Sequence, residues 1–399
     1  MNILVTLEHH FEQTPDGAVW TQTTFPHSFW KRYLEVFENV RVVARVRAVD
    51  SVSPDYQRAD GDRVSFIPLP DYVGLKQYLS QARQVEQTVK NAFVFGDAII
   101  MRVSSQIANH LQPILDQHHY PYGVEVVADP YDVFAPNSVK HPLRPVFRLW
   151  FPRQLRRQCA GACAAAYVTE KALQHRYPPA KNAFSTHYSS VDLPDEVFVS
   201  APRIPKQEIH TFTIISVGTL AQLYKAPDVL IDAVAHCVQE GMKLKLVLVG
   251  DGKHRQELET RAAKLGLKEC VDFRGQLPAG DAVRAALDQA DLFVLPSHQE
   301  GLPRAMIEAM ARGLPCIGST VGGFPELIPP EDMVAPGNVT ALAQKIREVV
   351  INPQRLAQMS TRNLQKAREY TEQVLRQRRF EFYLYLCNQT ETWLKTHKP

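Results

Sequence analysis

No apolar run in this 399-residue chain approaches the ~18 residues that a membrane-crossing helix needs; Ala160–Val168 is among the longest candidates. The start, Met1-Asn2-Ile3-Leu4-Val5, lacks the basic segment and small-residue cleavage site of a secretion signal and reads as a first strand. Six scattered cysteines form no Cys-x-x-Cys, and no histidine pair completes a metal-ligand pattern. A disulfide framework and a structural zinc are therefore not expected, and a reducing, cytoplasmic compartment is. Neither sign of charge dominates: 45 basic residues against 42 acidic ones leave +3, too little to point to nucleic acid. Short repeats and low-complexity segments are absent as well. What is present, 45% apolar and 22% charged residues, is the composition of a folded globular protein, long enough for two domains.

Short apolar runs alternate with helical patterns along most of the chain, the signature of parallel α/β sheets. Strands are expected at 2–7, 40–46, 64–68, 97–103, 122–128 and 164–168. In the second half they are expected at Phe212–Val217, Leu244–Val249, Val271–Phe273, Leu292–Leu295 and Cys316–Gly318. Val191–His210, with Pro194, Pro202 and Pro205, reads as the linker. The expected organisation is a Rossmann-like domain over 1–195, a second over 196–372, and a helical tail over 373–399 returning to the first. In the tail, Phe380, Tyr383, Leu384 and Cys387 form the expected apolar stripe. Doubly wound sheets bind ligands beyond the carboxyl ends of their strands, so two facing sheets would enclose an interdomain cleft.

The segment Leu292–Glu326 carries the most chemistry. A buried strand ends at Pro296-Ser297, and a loop bears Glu300 and Gly301. A helix is expected to start with Pro303 and to end before Gly313. Free amides and the positive end of that helix favour an anion such as a diphosphate. Arg304, a cation opposing the dipole in the first turn, fits there if an anion is bound beside it. Glu308 is placed to accept hydrogen bonds from the vicinal hydroxyls of a ribose, and Glu300 to face a sugar beyond the phosphates.

Glu300 and Glu308, with seven residues between them, precede Ala309-Met310-Ala311-Arg312-Gly313-Leu314-Pro315 and Gly322-Gly323-Phe324-Pro325-Glu326. This pattern resembles glycosyltransferase family 4, the retaining nucleotide-sugar transferases of GT-B architecture. The likeness covers about Thr211 to Val350. It includes Val217-Gly218-Thr219-Leu220 with Lys225, then Leu248-Val249-Gly250-Asp251-Gly252, and Phe273-Arg274-Gly275-Gln276-Leu277. By position, the resemblance implies that Lys225 binds the diphosphate and that Arg274, Gly275 and Leu277 line the base. Gly301, Leu302 and Arg304 would offer amides to the phosphates, whereas Pro303 has none. Glu308 would hold the ribose and Glu300 the transferred hexose. Thr219 stands where many members carry an arginine, and Arg304 is the candidate substitute. By the same resemblance Asp129 stands at the place of the family's first-domain histidine and is a second catalytic candidate.

Elsewhere in the first half, His9–Ala18 is expected to be a loop after the first strand, with Gly17 its candidate for close backbone approach to a diphosphate. Adjacent His9 and His10 find no completing ligands, and no metal or cofactor is expected. Asp60-Gly61-Asp62 reads as a turn. From Val133 to Thr169 there is no acidic residue, yet Lys140, Arg144, Arg148, Arg153, Arg156 and Arg157 stand among Phe147, Leu149, Trp150 and Phe151. Three readings stay open: an interfacial segment on an anionic membrane, a packed helix with a solvated basic face, or a groove for a phosphate-bearing lipid acceptor.

The resemblance thus implies a retaining hexosyltransferase in polysaccharide or glycolipid synthesis. It would act from a nucleoside diphosphate sugar, with UDP-glucose the guess, on a glycan or lipid-linked acceptor, without a metal. It would be cytoplasmic, or peripheral at the inner membrane face. An epimerase or phosphorylase on the same plan, or a non-catalytic nucleotide-sugar-binding protein, are the alternatives. A dehydrogenase is disfavoured because Lys253-His254-Arg255 follows Gly250-Asp251-Gly252 without a third glycine.

Overall fold

The computed structural model describes residues 1–22, 24–135, 141–191, 193–204 and 211–397. Lys140 and Pro205, singled out above, lie outside them. The chain divides into two compact units. The first comprises Met1–Tyr131, Val146–Tyr188 and Arg376–Pro399; the second comprises Asp132–Pro145 and Ser189–Leu375.

In the first unit the strands are β1 (Ile3–Gln13), β2 (Val19–Thr21), β3 (Val40–Ala48), β4 (Gln57–Arg58), β5 (Val64–Leu69), β6 (Ala98–Val103), β7 (Gly123–Val126), β8 (Ala164–Tyr167) and β9 (Phe184–His187). Parallel pairings set the order β5-β3-β1-β6-β7-β8-β9, while β2 and β4 add a short antiparallel edge. β6, β7 and β8 are buried at every position, as expected where helices cover both faces of a parallel sheet.

β1 runs six residues past its expected end, so His9–Gln13 are strand rather than loop. The reason is pairing: after a register shift between Thr6 and His10, the strand continues against Arg45–Ala48. Gly17 therefore sits in the turn of the β1–β2 hairpin, where its amide donates to the Thr14 carbonyl at 2.9 Å.

The carboxyl-terminal helix Glu372–Thr396 also departs from the expected stripe. Its buried positions are Leu375, Arg379, Phe382, Tyr383, Leu386 and Thr390, whereas Phe380 and Leu384 are exposed. The buried face brings Tyr383 beside Glu125 on β7, inside the first unit. That carboxylate pairs with Arg102 on β6 and accepts hydroxyls from Tyr33 (3.2 Å), Tyr188 (2.8 Å) and Tyr383 (3.4 Å). A buried carboxylate costs heavily unless it is paired and hydrogen-bonded, and these four donors answer that demand. Burial, and then the Glu125 charge, hold the Tyr33 and Tyr188 phenols in their neutral, donating form.

In the second unit β10 (Phe212–Val217), β11 (Leu244–Val249), β12 (Val271–Gly275), β13 (Leu292–Leu295), β14 (Cys316–Ser319) and β15 (Met333–Val334) form one parallel sheet. Its order is β12-β11-β10-β13-β14-β15. Counted within the unit this is 3-2-1-4-5-6, the doubly wound Rossmann order, whose direction reverses between β10 and β13. Their runs, Phe-Thr-Ile-Ile-Ser-Val and Leu-Phe-Val-Leu, are apolar enough for a central position. The described end of the expected linker belongs to this unit. The Arg203 guanidinium donates to the carbonyls of Leu287 (3.1 Å), Ala290 (2.5 Å) and Arg312 (2.8 Å).

Candidate active site

The switch point between β10 and β13 is where such a sheet leaves a crevice for a ligand, and there two of the residues selected from sequence, Lys225 and Glu300, come together. Beyond β10 the chain passes Gly218 and Thr219 to a short turn, Leu223–Lys225. Beyond β13 it passes Ser297 to Glu300 and then enters the helix Arg304–Ala311. Pro303 stands just before that helix instead of inside it, in an extended conformation (ψ 92°).

Lys225 and Glu300, 75 positions apart, meet directly: the ammonium Nζ donates to Glu300 Oε1. Their side chains are only 17% and 8% exposed. Ser297 Oγ donates to the same carboxylate oxygen at 3.1 Å, and Tyr224 presents its ring 5.1 Å from the ammonium. The loops carrying the pair are fastened by main-chain bonds. The His298 amide donates to the Tyr224 carbonyl at 2.7 Å, and the Gly323 amide to the Gly301 carbonyl at 2.7 Å. Neither Ser297 nor Tyr224 is a site residue by sequence reasoning; adjacency to a strand end and to Lys225 was the available signal.

Backbone proximity explains two glycines of the motif. A Cβ on Gly252 (φ +154°) would stand 2.0 Å from the Ala221 nitrogen, and one on Gly322 (φ +54°) would stand 1.9 Å from the Glu300 carbonyl oxygen. Only glycine permits either approach. The Leu220 amide donates to the Asp251 carbonyl at 2.9 Å, tying the β10 loop to the β11 loop. Thr219 accepts the Ala221 amide at 3.1 Å and so stiffens its own turn.

The other residues selected in this unit are in different states. Gly301 is half-buried, Leu302 is buried, and Arg304 is exposed and makes no ion pair among the described residues. Glu308 lies half-buried in the helix that Arg304 begins. Arg274 is held by Asp272 (3.1 Å) and Gln289 (3.3 Å), and the Gly275 carbonyl accepts the Gly250 amide at 2.8 Å. Leu277 is half-buried just beyond. A cavity of about 840 Å³ opens at the opposite, amino-terminal edge of this sheet, lined by Arg203, Phe212, Leu244, Asp291 and Pro315. None of the selected residues lines it; Lys225 and Glu300 lie beyond the carboxyl ends of β10 and β13.

In the first unit Asp129 follows β7, buried, and takes three donors: the Tyr131 amide at 2.9 Å, the Arg176 guanidinium and the Tyr177 hydroxyl. Burial first, and Asp129 second, push the Tyr177 phenol upward, which keeps it a donor. With its oxygens so engaged, Asp129 fastens two loops together. Gly17, at a hairpin tip where a Cβ would meet nothing within 4 Å, is likewise a turn residue.

Residues 202–366 match the family of glycosyl transferases group 1. Protein CapJ of Staphylococcus aureus is 26% identical over 333 residues, 83% of this chain and 82% of its own length. The putative colanic acid biosynthesis glycosyltransferase WcaL of Escherichia coli is 32% identical over 155 residues, 37% of this chain and 38% of that protein. Among solved structures, sucrose-phosphate synthase from Thermosynechococcus elongatus superposes with a TM-score of 0.68 at 16% identity, covering 97% of this chain and 99% of that one. HepE of Anabaena, solved with UDP and glucose, gives 0.61 at 16% identity, covering all of both chains. The fold is thus GT-B, and the match to glycosyl transferases group 1 falls within the second unit.

Proposed function

We propose that the protein is a retaining glycosyltransferase moving a hexose from a UDP-sugar, with UDP-glucose the first candidate, to a hydroxyl of a glycan or lipid-linked glycan during polysaccharide assembly. The observation that carries the reading is the largely buried Lys225–Glu300 pair at the switch point, one loop before the helix that bears Glu308. The colanic acid in WcaL's name favours polysaccharide chemistry, and the UDP and glucose in HepE favour the donor.

In this reading the diphosphate competes with Glu300 for the Lys225 ammonium. Lys225, Arg304 and the amides of Gly301, Leu302 and Arg304 stabilise the negative charge that grows as the anomeric C–O bond breaks. Glu308 takes the ribose hydroxyls, and the Arg274–Leu277 loop flanks the base. Glu300, released from its lysine, faces the hexose and offsets the positive charge developing at its anomeric carbon. The acceptor oxygen bonds to that carbon on the face the phosphate leaves, and the acceptor proton passes to the departing phosphate oxygen. No protein base and no metal enters the step.

Calorimetry with UDP, followed by UDP-glucose turnover with and without glycan acceptors, tests the reading. UDP release that depends on acceptor supports it. Conversion of donor without nucleotide release indicates an epimerase, and no UDP binding refutes it.

A further inference from the structure

The helix Arg144–Gly161 in the basic segment is seated by one face and bare on the other. Its inner face holds Leu155 and Cys159 in the first unit's core, and the Gln158 side chain donates to Asn109 at 2.9 Å. That seating fixes which residues look outward. Val146, Leu149, Trp150, Arg153 and Arg157 follow one another at helical spacing on the same exposed face, joined by Arg156. Val146 and Leu149 are 57% and 58% exposed and stand one turn apart beside Trp150, so they form a small contiguous apolar surface. The face is divided along its axis, with apolar groups in the amino-terminal half and guanidinium groups in the carboxyl-terminal half.

The arginines named from sequence do not all serve this face. Arg148 turns back, donating to the Tyr131 carbonyl at 3.2 Å with its guanidinium 4.0 Å from the Tyr131 ring. Arg144 is half-buried. Arg156 bonds the Arg176 carbonyl (3.0 Å) and Arg157 pairs with Asp116 (3.0 Å), both while exposed. Arg153 makes no ion pair among the described residues. No helix described is long and apolar enough to cross a membrane.

We propose that this face docks on an anionic lipid bilayer, with Val146, Leu149 and Trp150 at the acyl boundary and Arg153, Arg156 and Arg157 among the headgroups. Charge complementarity selects that occupant. The Asp116 carboxylate beside this face is already paired with Arg157, and no acidic residue lies between Asp132 and Glu170 in the chain, so Arg153 and Arg156 look outward from a segment of one charge sign. Aliphatic groups reaching into the interface beside basic residues are what peripheral attachment requires. The inference deepens the acceptor half of the function above, because it would bring the enzyme to a lipid-linked glycan.

The test is sedimentation of the full chain with phosphatidylcholine vesicles, with and without phosphatidylglycerol. Each arginine near an anionic surface is worth about five-fold in partitioning. Arg153→Gln should therefore weaken anionic binding about five-fold, and the triple change with Arg156→Gln and Arg157→Gln on the order of 10²-fold. Leu149→Ser, at an exposed position, should weaken it roughly ten-fold. Thermal melting shows that each variant is folded, and unchanged UDP binding shows that membrane docking, not the donor site, has been altered. Equal pelleting with both vesicle types overturns the proposal, as does a triple variant that pellets like the parent. Concentration-dependent self-association that Leu149→Ser abolishes would assign the face to a second copy and also overturn it.

Discussion

Replacing Lys225 by methionine keeps the stem that lies against Gly218 and removes the charge. Glu300 would then stay 8% exposed, with Ser297 Oγ, at 3.1 Å, still donating to it. Removing one partner of a buried pair costs about 3–5 kcal/mol; with Lys225 17% exposed, the lower end, about 3 kcal/mol, is expected. UDP affinity should fall too. A charge-assisted hydrogen bond contributes about 1.5–3 kcal/mol, and because the lysine must first leave Glu300, the net loss should sit near ten-fold. The double variant Lys225→Met/Glu300→Gln separates the two effects. A neutral amide needs no cation, so thermal stability should largely return while UDP binding stays weak. Melting curves and UDP calorimetry on the parent, both single variants and the double variant complete the cycle. If Lys225→Met binds UDP within two-fold of the parent, or the double variant is no more stable than Lys225→Met, the competition between Glu300 and diphosphate is not there.

Glu308→Ala should weaken UDP and UDP-glucose alike, roughly ten-fold by the loss of hydrogen bonds to a charged group. Glu300→Gln should leave UDP affinity unchanged or raised while turnover falls on the order of 10²–10³, the scale of losing one positioned electrostatic group; equal losses of UDP affinity in the two variants would merge their roles. Arg304→Ala should stabilise the protein by about 0.3–1 kcal/mol, by lifting a cation from a helix start, yet weaken UDP; unchanged UDP affinity marks Arg304 as a surface charge. His9, bonded to Thr21 at 3.1 Å, has its imidazole lowered to about 4 by burial and then by His10 and Arg45. The unfolded chain therefore takes up this proton near pH 6.5 and the native one only near pH 4. Stability should fall by up to about 3 kcal/mol as pH drops through that window. His9→Gln should flatten the slope in melts from pH 7 to 4, and an unaltered slope would contradict the assignment.

The strand framework of the second unit was largely legible in the sequence. β10, β11 and β13 have the expected bounds, because a central parallel strand buried on both faces needs an unbroken apolar run and such runs stand out. Glu300, Gly301 and Glu308 lie in one local segment, so their order along loop and helix follows from chain position alone. The first unit was less legible where neighbours decide. β1 continues to Gln13 because β3 is there to pair with it, which no run of residues announces. The tail helix turns Tyr383 inward, where it stacks on Tyr33 beside Glu125, and Phe380 outward; hydrophobicity alone favoured both. Arg148 leaves the basic face for Tyr131, a contact across 17 positions. The Lys225–Glu300 pair likewise belongs to the tertiary structure. Sequence named both residues, but only the order that sets β10 beside β13 brings an ammonium and a carboxylate from distant loops into one buried bond.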